Sequence, residues 1–384
     1  MQTKTLFILS IGWLGLMSSC SSNEDFSCIG NYTTGKESIE IDEELQKRYK
    51  SIDAEWYVGH YPEYFGEKVL IFNQLEDVDN LLSNLEDMHY QELCNWYATC
   101  PIRNSIIESN IIYDTKLTEA ATIFGIDFDK ESIEIKEETL SEIYSLFTRM
   151  MQDEYPRLCK TDSTGHIYVR PTGHIDDIPA LCNDKHLMIV DKIVYRIDHG
   201  FILTCPIDKY VLIPNDIAIH ELWELYNADA IPHISADDDI SITKAPTIPN
   251  QEITHEDIKS HIVKKGNYTL SVYLTAYPVW GWGTTNIRGK VIIDNYYKGN
   301  RHKTQTDGRI KYDVQAYFPN RNITNKMHFS FPASAIDGRY KSKTLRATYW
   351  GNFYCPTKRT NADIIAADIS ISQPSTGINL CYTK

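Results

Sequence analysis

His220-Glu221-Leu222-Trp223-Glu224 is where this chain comes nearest to a metal motif. Two histidines four residues apart on a helix would turn both imidazoles toward one ion. Here the second position is Glu224, so a solvated helix face is expected instead. Asp237-Asp238-Asp239 gathers three carboxylates, a donor type that calcium favours. Adjacent residues of an extended chain point to opposite sides, and no glycine-spaced ligand series follows, so no metal site is assigned. Nucleophilic catalysis needs a serine, cysteine or threonine beside a base and an orienting group. The twelve histidines are scattered, and the chain has neither a Gly-x-Ser-x-Gly turn nor a phosphate-binding glycine loop. No catalytic residue and no cofactor is expected. An exported hydrolase stands as the third functional reading, and it would require two carboxylates facing each other across a cleft.

Binding chemistry has more to work with. Tyr277-Pro278-Val279-Trp280-Gly281-Trp282-Gly283 could form a flat platform for a sugar ring or another planar ligand. Trp280 and Trp282 share a face if the stretch is extended, although one tryptophan filling a β-sandwich core is the competing use. Basic residues cluster at Lys298, Arg301, His302, Lys303, Arg309 and Lys311, and again at Arg339, Lys341, Lys343 and Arg346. Such clusters can hold a polyanion, for example a sulfated or uronic glycan or lipopolysaccharide, with nucleic acid the less favoured partner. They can also dock on an acidic neighbour, or sit on strand edges where lysine discourages aggregation. Strand alternation in KTLRATYW would put Lys343 and Leu345 on one side and Arg346 on the other.

Charge divides the chain. Residues 20–254 carry 18 Lys/Arg against 44 Asp/Glu, a net of −26, whereas residues 255–384 carry 19 against 8, a net of +11. A reversal of that size marks a domain boundary. On the acidic side the periodicity is helical at 38–50 (SIEIDEELQKRYK), at LEDVDNLLSNLED, near QELCNWYA and at 136–155. A further helix is expected in PIRNSIIESNIIYDTKLTEAATIF, with its proline in the first turn. VLIF at 69–72, HIYVR, HLMIVDK, IVYRID and FILTCPI read as strands, with a hairpin at Asp198-His199-Gly200. NDIAIHELWELYNA (215–228) returns to helix, capped by Asn215. Past a proline-rich linker at 229–255, six or seven short alternating strands are separated by turn signals. These are Lys298-Gly299-Asn300, Thr306-Asp307-Gly308 and Ile336-Asp337-Gly338. The expected fold is an α+β N-terminal domain (38–228) followed by an all-β, sandwich-like C-terminal domain (256–384).

The N-terminus supplies an address. Lys4, the apolar run Leu6–Met17 and the small pair Ser18-Ser19 have the three parts of an export signal over residues 1–19. Met17-Ser18-Ser19-Cys20 resembles the lipobox of bacterial lipoproteins, and Ser-Ser-Asn-Glu-Asp after it resembles the acidic surface-export tag of Bacteroidota lipoproteins. The resemblance implies acylation at Cys20 and display on the bacterial outer membrane toward the exterior, and the polar, Gly/Ser/Thr-rich composition after it reads as a flexible stalk at 20–37. VLIFNQLEDVDNLLSNL, ELCNWY and MIVDKIVYRID are likewise similar to a group of uncharacterised Bacteroidota surface lipoproteins, over about residues 60–225. That group implies the same tethered context and assigns no activity. The eight further cysteines (Cys28, Cys94, Cys100, Cys159, Cys182, Cys205, Cys355 and Cys381) form an even set in an oxidising compartment, and Cys355–Cys381 is the expected pair. The functional expectation is a membrane-tethered, non-catalytic binder of a glycan or other polyanion through Tyr277, Trp280, Trp282, Arg301, Lys303, Arg309 and Lys311. The alternative is a scaffold contacting an envelope protein.

Overall fold

The computed structural model describes residues 54–57 and 68–384, apart from 101, 129–134, 176–177, 199–200, 208, 211–212, 214–216, 228–239, 245–259, 282–283, 318–326 and 350–360. The described residues belong to one compact unit. The fold is α+β in the N-terminal region and sandwich-like β in the C-terminal region.

β1 (Ala54–Tyr57) and β2 (Val69–Phe72) lead into α1 (Leu75–Asp87), α2 (Tyr90–Thr99), α3 (Ser105–Ile123) and α4 (Glu137–Glu154). A small hairpin follows, β3 (Cys159–Thr161) with β4 (Ile167–Val169). Then come β5 (Leu187–Val190), β6 (Ile193–Asp198), β7 (Phe201–Pro206), α5 (Ile219–Asn227) and β8 (Ser241–Lys244). The main sheet runs β1-β2-β5-β6-β7-β8, parallel between β2 and β5 and antiparallel elsewhere. Side-chain alternation splits it cleanly. Leu70, Phe72, Met188 and Val190 pack under α1, α2 and α3, while Val69, Leu187, Ile189 and Leu203 face Ile219 and Leu222 of α5.

Helix boundaries follow caps as much as hydrophobic spacing. α3 starts at Asn104, whose carbonyl oxygen Oδ1 accepts from the amides of Ile106 and Ile107, rather than at the proline. His89 and Glu92 form a reciprocal cap on α2. α4 buries Leu140, Ile143, Tyr144, Phe147 and Met151 along one stripe, with Phe147 edge-on to Tyr113 of α3 at 4.9 Å.

The C-terminal strands are β9 (Ser260–Lys265), β10 (Tyr268–Gly281), β11 (Thr284–Tyr297), β12 (Asn300–Arg301), β13 (Thr304–Tyr317), β14 (Met327–Tyr340), β15 (Ser342–Tyr349), β16 (Asn361–Gln373) and β17 (Ile378–Thr383). One sheet is ordered β12-β11-β10-β9 with β15 also on β11, and the other β14-β13-β16-β17. Leu270, Val272, Leu274, Val291 and Ile293 meet Ile310, Val314, Phe331 and Ile369 between them. Lys298 and Gly299, at φ 46° and 76°, make the expected turn into β12. The other two turn signals lie inside strands, where Asp307 pairs with Asp337. Their glycines serve close packing: a Cβ on Gly308 would strike the Ser370 carbonyl, and one on Gly338 would lie 2.5 Å from the Tyr340 hydroxyl.

Candidate functional site: the seam between the domains

The outer face of the β10-β11-β15 sheet meets α1 and the β3–β4 region, while α3 and α4 pack against β12 and the turns at the end of the sheet. Its residues line up in rows set by strand register: Ser271, Asp294 and Ser342; then Tyr273, Ile292 and Thr344; then Thr275, Lys290 and Arg346. Ser271, Ile292 and Asp294 are fully buried and Arg288 is 1% exposed, although serine, arginine and aspartate are surface residues by nature. What buries them is the acidic domain.

Ion pairs and hydrogen bonds run the length of this seam. From α1, Asp79 pairs with Arg288, Ser83 accepts from Arg346 at 3.3 Å, and Glu86 accepts the Thr344 amide at 2.7 Å. Lys343 reaches both Asp87 at 3.0 Å and Glu86 at 3.7 Å. Arg346 and Lys343 alternate along β15, yet both contact α1, because β15 is an edge strand and the long lysine stem bends round the edge. From α3, Asp114 pairs with Lys341, and Asn110 accepts from the Arg301 guanidinium at 2.9 Å. From α4, Ser141 accepts from Lys298 at 2.6 Å and Glu137 accepts from Asn267 at 2.6 Å. The Asn300 side chain accepts the Val169 amide at 2.8 Å.

Two clusters within the seam hold histidines. Tyr113 and Tyr144 both donate to the Arg301 carbonyl, at 3.0 and 2.9 Å. With its one proton so used, Tyr144 accepts at its oxygen, so the His302 Nδ1 at 3.0 Å carries hydrogen. Burial first, and then the Arg339 charge, bring His302 down to about 4, so the ring is neutral at pH 7. In the second cluster the Arg301 guanidinium donates to His174 Nδ1 at 3.2 Å, leaving the Nε2 proton to face Asp294 at 3.6 Å. Tyr296 donates to Asp294 at 2.9 Å. Burial pushes the Asp294 carboxyl up, but His174, Arg301 and the hydrogen bonds from Ser342 and Tyr296 outweigh it and hold it below the usual carboxylate range.

Ser342, His174 and Asp294 are the three residue types of a hydrolytic triad, and their wiring is wrong for it. A base must offer its lone pair to the nucleophile. The Nδ1 lone pair that Ser342 approaches at 3.5 Å is already taken by Arg301, and Ser342 itself supports Asp294. The trio fastens β11 and β15 to His174 of the acidic domain.

The residues singled out from the sequence part company here. Arg301 is 8% exposed and engaged in the seam. Lys303 is half-buried between β12 and β13, whereas Arg309 and Lys311 stand exposed on the outer face of β13, Arg309 within 3.9 Å of Asp368. Tyr277 and Trp280 occupy β10, opposite Arg288 and Thr285 of β11. Cys20, Trp282, Cys355 and Asp237–Asp239 lie outside the described residues. Among the described residues Cys94, Cys100, Cys159, Cys182, Cys205 and Cys381 form no disulfide with one another, and Cys381 is exposed on β17. Among the described residues no group of His, Cys, Asp and Glu is placed to hold a metal ion. His220 and Glu221 of α5 are both exposed, 4.0 Å apart. No described helix is long and apolar enough to cross a membrane.

Asn110, Tyr113, Tyr144, His174, Asp294 and Tyr296 did not stand out in the sequence. One signal was available: Arg288, Lys290 and Asp294 recur at even spacing within an otherwise apolar strand, which marks a polar face opposite a core face.

Fold and seam together define an α+β region packed on a β-sandwich region by polar and ionic contacts, within one compact unit. No family model matches the chain, and no curated protein matches it. Among solved structures it is similar to a DUF4848 family protein from Bacteroides thetaiotaomicron, at 10% identity over 86% of this chain and 100% of that one, with a TM-score of 0.21. It is also similar to a Bordetella pertussis protein assigned as ApaA, at 10% identity over 30% of this chain and 88% of that one, with a TM-score of 0.19. At these scores neither likeness carries an argument about function.

Proposed function

We propose that this chain is a lipoprotein anchored through Cys20 in the bacterial outer membrane, facing the exterior, and that it works by binding a glycan or other polyanion through its C-terminal domain rather than by catalysis. The observation that supports the binding reading most directly is the outer face of β13, where Arg309 and Lys311 stand exposed on the side opposite the seam. Exposed cations spaced two residues apart along a strand lie about 6.6 Å apart on one face, a spacing that suits the repeated charges of an acidic glycan. The test is retention of the mature chain on immobilised heparin as salt is raised. Replacing Arg309 and Lys311 with glutamate is expected to move elution to markedly lower salt, because each phosphate-like contact contributes to the salt dependence. Unchanged elution would remove this face from consideration.

The anchor is tested separately. Cys20→Ser abolishes acylation, and the expected outcome is loss of the protein from the membrane fraction, since stable attachment needs several buried acyl chains. Persistence in that fraction would count against the anchor.

A scaffold role in an envelope complex is the second reading. Its support is the seam itself, where Arg288, Arg301, Lys341 and Lys343 direct their charge to the protein's own acidic domain instead of outward.

A further inference from the structure

The covered face of β11 and β15 has features of a surface built for a ligand. It carries Arg288, Lys290 and Arg346 over two neighbouring strands, with Lys341 and Arg301 at its lower end and Lys343 reaching round the edge of β15. Carboxylates meet three of them, Asp79 at Arg288, Glu86 and Asp87 at Lys343, and Asp114 at Lys341, while Ser83 and Asn110 accept from Arg346 and Arg301. This is the pattern of an acidic polymer lying on a basic sheet, with two helices in the polymer's place.

The fit is imperfect where a permanent interface would be complete. Among the described residues, Arg288 Nε and Nη1, Ser271 Oγ, Thr344 Oγ1 and Asp294 Oδ1 are buried with no hydrogen-bond partner. A buried polar atom left unsatisfied costs about 1–3 kcal/mol, and opening the seam would return that cost to each of these groups. Burial first, then the Arg346 charge, also bring the Arg288 guanidinium down to about 9. Polar interfaces between domains resemble those of separable partners more than those of obligate ones.

We propose that the outer face of β11 and β15 is a binding surface for an acidic glycan, that α1 and α3 occupy it as an intramolecular competitor, and that glycan binding displaces them by parting the domains. The inference rests on the polyanion-binding reading and places the ligand at a different face. A sulfated or uronic chain would supply acceptors to Arg288, Lys343 and Arg346 in place of Asp79, Glu86, Asp87 and Ser83. Differential affinity for the open state is what drives the opening.

The experiment is hydrogen exchange on the mature chain carrying Cys20→Ser, with and without a heparin octasaccharide. The expected result is binding, with faster exchange in residues 75–87 and 108–116 while 342–348 stay protected. Binding that protects 305–313 and leaves 75–87 unchanged overturns this inference and leaves the polyanion reading standing. Absence of binding overturns both. Glu86→Gln with Asp87→Asn weakens the hold of α1 on Lys343, so it is expected to raise heparin affinity about tenfold. Equal affinity in that variant also overturns the proposal.

Discussion

Gly289 sits in the middle of β11, in a stretch of sequence (RGKVII) where nothing calls for a glycine. Its reason lies across the sandwich. A Cβ there would fall on the hydroxyl of Tyr312 and the ring of Phe331, which stack on each other with centroids 4.5 Å apart. Gly289→Ala must push that stack aside, an overpacking change that costs about 1–3 kcal/mol, and urea denaturation should show a lowered midpoint at unchanged slope. The seam offers a counterpart at the same scale. Tyr144→Phe removes the hydrogen bond to the Arg301 carbonyl, which Tyr113 still serves, and leaves the His302 Nδ1 proton without its acceptor, so the expected loss is about 1–3 kcal/mol. Neither role was legible in the sequence, because each depends on a partner from another strand or domain. Periodicity reports which face a residue lies on and is silent about what meets it.

Periodic apolar stripes, by contrast, made the helices α1, α2 and α4 and the strands of both sheets readable, since burial of a face is written along the chain itself. The failures at element scale were at ends and turns. Gly308 and Gly338 carry turn composition but serve close strand packing, and α3 begins at Asn104. Asn104 does more than cap. Its amide nitrogen donates to the carbonyls of Pro179 at 2.7 Å and Cys182 at 2.8 Å, fixing the start of the helix to the segment before β5. Asn104→Ala therefore loses the cap and leaves two carbonyls without their donor. A cap alone is worth about 0.5–2 kcal/mol, and the expected loss lies at or above the top of that range. Asn104→Asp keeps the acceptor and loses the donor, so it should recover part of the stability. Thermal unfolding of the two variants separates capping from tethering: equal midpoints would show that the bonds to Pro179 and Cys182 contribute all of the effect.

At the scale of the molecule, the reversal of charge between residues 20–254 and 255–384 announced two regions, and the seam shows much of that charge meeting inside the protein. Which acid meets which base was not legible, since pairs such as Asp79 with Arg288 are far apart in the chain and their approach is set by packing. One consequence is a defined response to acid. His302 lies among Tyr144, Tyr268 and Tyr297, with Arg339 as the nearby charge and Glu137 accepting from Tyr297 at 3.2 Å. Its pKa of about 4 in the folded protein lies below the ordinary histidine value of 6.5, so the unfolded chain takes up the proton first as pH falls. The stability this group contributes is fully present above pH 6.5 and is lost as pH drops through 4. Asp294 is also depressed, from 3.8, and acts in the same direction at still lower pH, when protonation removes the charge that His174 and Arg301 face. The melting temperature should therefore hold steady from pH 8 to about 6.5, fall between 6.5 and 4, and fall further below 4. His302→Gln keeps a polar side chain without the titration and should flatten the middle limb while leaving the lowest one. A middle limb that survives in His302→Gln would mean that another group controls it, and that the aromatic cluster around His302 packs the seam without sensing pH.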